Sequence, residues 1–274
     1  MRPVLIAITR EISPAIQNCE LTHLQREPID VDRARAQHRR YEQCLADLGC
    51  KIISLPAEPD LPDSVFVEDT ALVLDELAIV MRPGALSRRP ETASIAKTLA
   101  PYRELSHIEE PGTIDGGDVL RIGKAIFVGL SYRSNAAGVE QLREIVQPFG
   151  YRVEGARVSG CLHLKSAVTQ VASDTLLINP ACVDAKVFPK MRLVEVDPSE
   201  SSGANALWVC NSIVYPAAFP LTLQRLRQRG LDVRVVEVSE LAKAEAGVTC
   251  CSLIFKEQAE REKNGTLPTI AVGM

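Results

Sequence analysis

The sequence predicts an α/β fold in which five similar units close into a ring, and three observations carry that expectation. Polar residues of different chemistry, Glu68, Asp115, His163, Asn205 and Cys250, recur at intervals of 47, 48, 42 and 45 residues. Each leads into an apolar segment, and in four of the five a tight polar turn then gives a second one. In three units a helical pattern follows and stops at a glycine, after which a β-rich run begins. A repeat of this length signals one supersecondary unit used several times.

The elements follow in order. Residues 3–8 form an apolar run of six, too short for a signal core or a membrane span, and read as a buried strand. A helix over 33–48 ends at Gly49 and gives way to a strand over 51–55. Segment 65–73 turns at Asp75-Glu76 into 77–81, with a weaker helix over 91–100. Segment 113–120 turns at Gly123-Lys124 into 125–130, then a helix over 136–149 stops at Gly150 before strand 151–153. Segment 161–168 turns at Ser173-Asp174 into 175–178, and the short stretch 183–189 takes the helical slot. Segment 203–209 turns at Asn211-Ser212 into 213–215, and a helix over 219–229 stops at Gly230 before 231–238. The fifth segment, 248–255, lacks a second strand, which the spare strand at residues 4–8 would supply. Spacing alone fits a sandwich or an open α/β sheet equally well. The chemistry of the markers has to decide.

Composition narrows the function before any motif does. The 274 residues carry 31 Lys and Arg against 35 Asp and Glu, a net charge of −4, with 46% hydrophobic residues. That is an ordinary globular composition without a basic stripe, so a nucleic-acid surface is not expected. Neither is a membrane partner. Eight cysteines without a secretion signal point to free thiols in a reducing, cytoplasmic setting. No CxxC, HExxH or GxxxxGK[ST] occurs, so the strong zinc and nucleotide signatures are missing.

A ring would gather the thiol of Cys250, the imidazole of His163, the carboxylates of Glu68, Asp69, Asp115 and Asp118 and the amide of Asn205 around one axis. Thiolate, base and orienting carboxylate are the parts of a nucleophilic site. Nearby carboxylates raise a thiol's pKa, and a bound cation reverses that effect, so a cationic substrate is expected. Paired acceptors match a planar guanidinium. Arg10, Arg82, Arg88 and Arg133 fall on loops after second strands, and two of them on one rim would hold a carboxylate. Guanidinium at one end and carboxylate at the other describe an arginine derivative.

Six stretches in order, PDSVFVED (62–69), RPGALSRR (82–89), DGGDVL (115–120), GLSYRSN (129–135), LHLKS (162–166) and TCCS (249–252), resemble the dimethylarginine dimethylaminohydrolase family of guanidino-group-modifying enzymes. The match is collinear from about residue 30 to residue 255. The resemblance implies a five-bladed α/β propeller of the pentein type, with ββαβ modules around a central active-site channel. The period points to one catalytic domain over 1–274, and the resemblance implies a mobile lid over 11–29. Cys250 would be the nucleophile, His163 the general acid and base, and Asp115 the residue orienting His163. Asp63, Glu68 and Asp69 would bind the guanidinium and α-amino groups, and Arg88 and Arg133 the α-carboxylate. Leu21 and Ala244 would add further substrate contacts. The residues alone do not choose between Cys250 and Cys251, since neighbours on a strand face opposite ways.

The implied reaction converts asymmetric dimethylarginine or monomethylarginine to citrulline and dimethylamine or methylamine through a covalent cysteine adduct. No metal or organic cofactor is expected, although zinc is a candidate inhibitor at Cys250 and His163. The partner is a small molecule, and monomer and homodimer both stay open. The alternatives are an arginine deiminase or other guanidine hydrolase, and a thiol sensor or zinc protein using Cys161, His163, Cys250 and Cys251.

Overall fold

The computed structural model of the chain describes residues 4–258. It opens with strand β1 (Leu5–Arg10), helix α1 (Val31–Asp47) and strand β2 (Cys50–Leu55), which runs parallel to β1. Asp30 starts α1 by accepting the Arg33 N–H at 3.0 Å, which satisfies one of the unpaired donors of the first turn. Gly49, at φ +97°, ends it in a conformation that glycine adopts without steric cost.

Four times the chain then repeats an antiparallel hairpin whose second strand gains a parallel partner after a crossover. The first repeat holds β3 (Ala71–Val73), β4 (Leu77–Val80), α2 (Thr92–Leu99) and β5 (Glu104–His107). The second holds β6 (Val119–Ile122), β7 (Ala125–Leu130), α3 (Ala136–Val146) and β8 (Arg152–Arg157). A one-turn helix α4 (Leu164–Ala167) introduces the third, with β9 (Val168–Ala172), β10 (Thr175–Ile178) and β11 (Arg192–Glu195). The fourth holds β12 (Leu207–Val209), β13 (Ser212–Pro216), α5 (Pro220–Gln228) and β14 (Val233–Val236). A further one-turn helix α6 (Ser239–Ala242) leads to β15 (Leu253–Lys256), which pairs antiparallel with β1 from Leu5 opposite Lys256 to Ile8 opposite Leu253. The N-terminal strand therefore completes the last unit, as the spacing predicts.

Packing closes these sheets into a ring. The middle strand of each sheet is apolar on both faces, and its alternate side chains enter different cores. Ile6 and Ile8 of β1 pack with Ala78 of β4, while Ala7 packs with Val214 of β13. Ile79 shares a core with Ile126, Phe127 with Leu176, and Leu177 with Ile213. Each core thus joins two consecutive sheets, and the last core joins the fourth repeat back to β1 and α1. The sheets stand around one axis like propeller blades.

Two details differ from the sequence reading. The β12–β13 turn is centred on Cys210 and Asn211, both at positive φ, one residue before the expected Asn211-Ser212. Both central residues of such a turn need left-handed backbone, and Asn tolerates it better than Ser. The stretch 183–189 holds only a 3-10 turn, Ala185–Val187, because so few residues do not offset the cost of starting a helix.

Candidate active site

Short segments at the axis precede the first strand of each blade, and their side chains divide between its two ends. Asp69, His163 and Cys250 line one cavity, whereas Glu68, Lys165 and Thr249 line another. Sequence neighbours are parted in this way at Glu68-Asp69 and Thr249-Cys250. Cys251 goes to neither end, being buried in the core with Tyr41 and Val248. Cys250 faces the cavity and Cys251 the core.

The first cavity measures about 20 Å³, room for a single water. His163 Nε2 lies 3.2 Å from Asp115 Oδ2, and Nδ1 lies 4.0 Å from Asp69 Oδ1. Asp115 is fully buried and accepts the Gly84 N–H at 2.8 Å on its other oxygen. Asp69 accepts the Gly117 N–H at 2.8 Å, and a Cβ at Gly117 would lie 2.5 Å from His163 Nδ1. The Gly-Gly of DGGD is therefore a seat for the imidazole.

Charge in this site is finely set. Burial lowers the pKa of His163, but the Asp69 charge, the Asp115 hydrogen bond and the Asp118 charge outweigh it and raise it to about 9. Cys250 is pushed up to about 12 by burial and by the charges of Glu68 and Asp69, against the Gly247 N–H, which donates to its Sγ at 3.3 Å. Burial and these charges favour the neutral thiol. Asp69 is itself held below the ordinary carboxylate range, because the Arg88 and His163 charges overcome the burial cost.

The arginines divide as well. Arg88 is buried and already engaged, with Nη1 on Asp69 at 2.6 Å, Nη2 on Glu91 at 2.9 Å, and longer bonds to the carbonyls of Asp63 and Phe66. Arg133 also lines the cavity, donating to Thr22 Oγ1 at 3.1 Å. Arg10 and Arg82 are not part of it. Arg10 is buried against Glu58, Pro56 O and Ser94, and Arg82 bonds Gly112 O and Glu110.

Segment 11–29 folds over the cavity with one 3-10 turn, Ile16–Asn18. Glu20, Ala244 and Glu245 line the cavity, while Leu21 packs against the neighbouring core. The Glu20 N–H reaches both oxygens of Asp63, at 3.1 and 3.3 Å. The Glu245 carboxylate accepts the N–H groups of Thr22, His23 and Leu24.

At the far end of the axis Glu68 accepts from Lys165 Nζ at 2.6 Å and from Thr249 Oγ1 at 2.7 Å. Asn205 ties the rest together, donating to Lys165 O and Thr249 Oγ1 and accepting the Thr249 N–H. Asp118 is likewise spent on Ser131, Ser134 and the Leu164 N–H. Glu68, Asn205 and Asp118 therefore stand apart from the cavity that holds Cys250 and His163. Lys165, Glu20 and Glu245 were missed in the sequence. Lys165 had a signal, its place two residues after the His163 marker, but Glu20 and Glu245 had none.

The family described as arginine deiminase matches residues 58–202. A dimethylarginine dimethylaminohydrolase of Streptomyces coelicolor is 39% identical, the match covering 92% of this chain and 97% of that protein. Among solved structures, a cysteine-to-serine mutant of the Pseudomonas aeruginosa enzyme complexed with citrulline superposes at a TM-score of 0.86, with 32% identity over 92% of this chain and 100% of that one. A histidine-to-glycine dimethylarginine dimethylaminohydrolase, an adduct with S-methyl-L-thiocitrulline, also gives 0.86, with 33% identity over 91% and 98%.

Proposed function

The chain belongs to the dimethylarginine dimethylaminohydrolase family, and we infer that it hydrolyses Nω-methylated arginine to citrulline, releasing dimethylamine or methylamine. The observation that carries this reading is the single cavity onto which Cys250, an Asp115-bound His163, Asp69 and Arg133 all open. Asp69 receives the guanidinium, with Glu68 adding negative charge from behind. Asp63 binds the α-amino group, Arg133 and Arg88 draw the α-carboxylate, and Leu21 and Ala244 close the sides.

The cationic substrate supplies what the free thiol lacks. Its charge offsets Glu68 and Asp69, so the Cys250 thiolate forms beside the carbon it attacks. Sulfur adds to the guanidinium carbon, His163 protonates the departing amine, and the carbon–nitrogen bond breaks to leave a thiouronium on Cys250. The same imidazole then takes a proton from water, whose oxygen adds to that carbon. Collapse restores the thiol and releases citrulline. No step requires a metal. Asp69, Asp115 and His163 bring donor atoms within 4.8 Å of one another, and zinc bound by His163, with Cys250, would compete with substrate.

The protein is expected to act as a single cytoplasmic catalytic domain whose 11–29 segment opens to admit substrate. No helix among the described residues is long and apolar enough to cross a membrane. The assay supplies asymmetric dimethylarginine and measures citrulline and dimethylamine, with ammonia release from arginine as the comparison. Absence of both products from folded protein overturns the reading, and faster ammonia release from arginine would make the chain a deiminase.

A further inference from the structure

We propose that Glu245 is the latch that holds residues 20–24 shut over Cys250 and so sets the rate at which the site exchanges its contents. The identity of substrate and product rests on the function inferred above; the latch itself does not.

Three observations support it. The Glu245 carboxylate gathers three successive main-chain donors, Thr22 N–H at 3.0 Å and His23 and Leu24 N–H at 2.5 Å each. Such a cluster of donors around one anion fixes the course of the backbone without regard to its side chains. Glu245 also sits at φ +59°, immediately after α6, where its N–H bonds Ala242 O and the Ala246 N–H bonds Leu241 O. That is the helix-ending arrangement in which glycine is the usual and least strained residue. The fold alone has no use for a glutamate there. Finally, the cavity beneath measures about 20 Å³ and Glu20 of the segment forms part of its wall, so moving the segment widens the space beside Cys250.

Other contacts hold the same segment at its neighbouring points: Glu20 N–H to Asp63, Ser87 Oγ to Glu20, and Arg133 to Thr22 Oγ1. Asp63 and Arg133 are also the groups assigned to substrate, so their grip is traded when substrate binds. Glu245 also lines the cavity, and its carboxylate holds three main-chain N–H groups of the segment from the cavity wall. It is a positioning residue whose effect reaches the chemistry only through the segment.

The test compares wild type with Glu245→Gln and Glu245→Gly. Iodoacetamide is added to ligand-free protein, and modification of Cys250 is followed by mass spectrometry alongside the thermal midpoint. Both variants should alkylate Cys250 at least tenfold faster, and citrulline should dissociate faster in parallel. Glu245→Gly, freed of the left-handed strain, should keep or raise the midpoint. Glu245→Asp, which keeps the charge on a shorter arm, should restore part of the protection. Unchanged alkylation in both variants overturns the latch. So does faster alkylation accompanied by a lowered midpoint in Glu245→Gly, which would mark Glu245 as part of the general scaffold. If dimethylarginine proves not to be a substrate, the alkylation result still decides the matter.

Discussion

At one end of the axis Asp69, His163 and Cys250 face a cavity; at the other Glu68, Lys165, Thr249 and Asn205 satisfy one another. The two ends are built from the same short segments, and in two of them from adjacent residues. They differ in what is left unfinished. The far end pairs its charges and hydrogen bonds completely, whereas the near end keeps a thiol whose negative form is disfavoured by its own neighbours. On the proposed function, a cationic substrate supplies the partner that this thiol lacks.

Removing the near-end thiol gives the largest effect. Cys250→Ser should lower the turnover of asymmetric dimethylarginine by about four orders of magnitude or more, as loss of a nucleophile does, while far-ultraviolet circular dichroism stays unchanged. Lys165→Met should act the opposite way, on stability first. The pair is part-buried, with Lys165 17% exposed, so removing Lys165 should cost about 1–3 kcal/mol, readable by urea denaturation, and Glu68→Gln added to it should return much of the loss. A double variant no more stable than Lys165→Met would show that the two charges are not coupled in the folded protein.

The near end should also make stability depend on pH. His163 is raised from 6.5 to about 9, so its protonated form stabilises the folded protein fully below pH 6.5. That contribution disappears as pH rises through 9, a loss of about 3 kcal/mol from this group. Urea midpoints at pH 6 and 9.5 should differ in this direction, and His163→Asn should flatten the difference. The smallest effect is expected of Cys251→Ser, whose thiol lies in the core. Activity should stay within about threefold, with about 1 kcal/mol of stability lost to the buried hydroxyl.

The ring and the identity of its markers were legible because blades repeat, and a repeat writes its period into the sequence. Which end of the axis a marker faces was not. Glu68 and Asp69 are adjacent acids of the same class, and only the local 3-10 turn Val67–Thr70 sends them to different cavities. Segment 11–29 stayed opaque for another reason. Asp63 and Glu245 hold it through main-chain N–H groups, which every residue but proline possesses, so the contacts leave no signature in the residues held. Arg10 and Arg82 matched the loop rule but not the rim, since nearby carboxylates and carbonyls claim them first.

The pairing of β1 with β15 has a consequence for how the protein is made. Ile6 and Ile8 find Leu253 and Phe255 across almost the whole length of the described chain. During synthesis β1 therefore waits with one edge bare until residues 253–256 have left the ribosome, and contacts so distant slow folding. Cys250 reaches its place in the same final step. A nascent chain should consequently show no activity and a strong need for chaperone cover, and a circular permutant that supplies β15 ahead of β1 should fold faster and aggregate less.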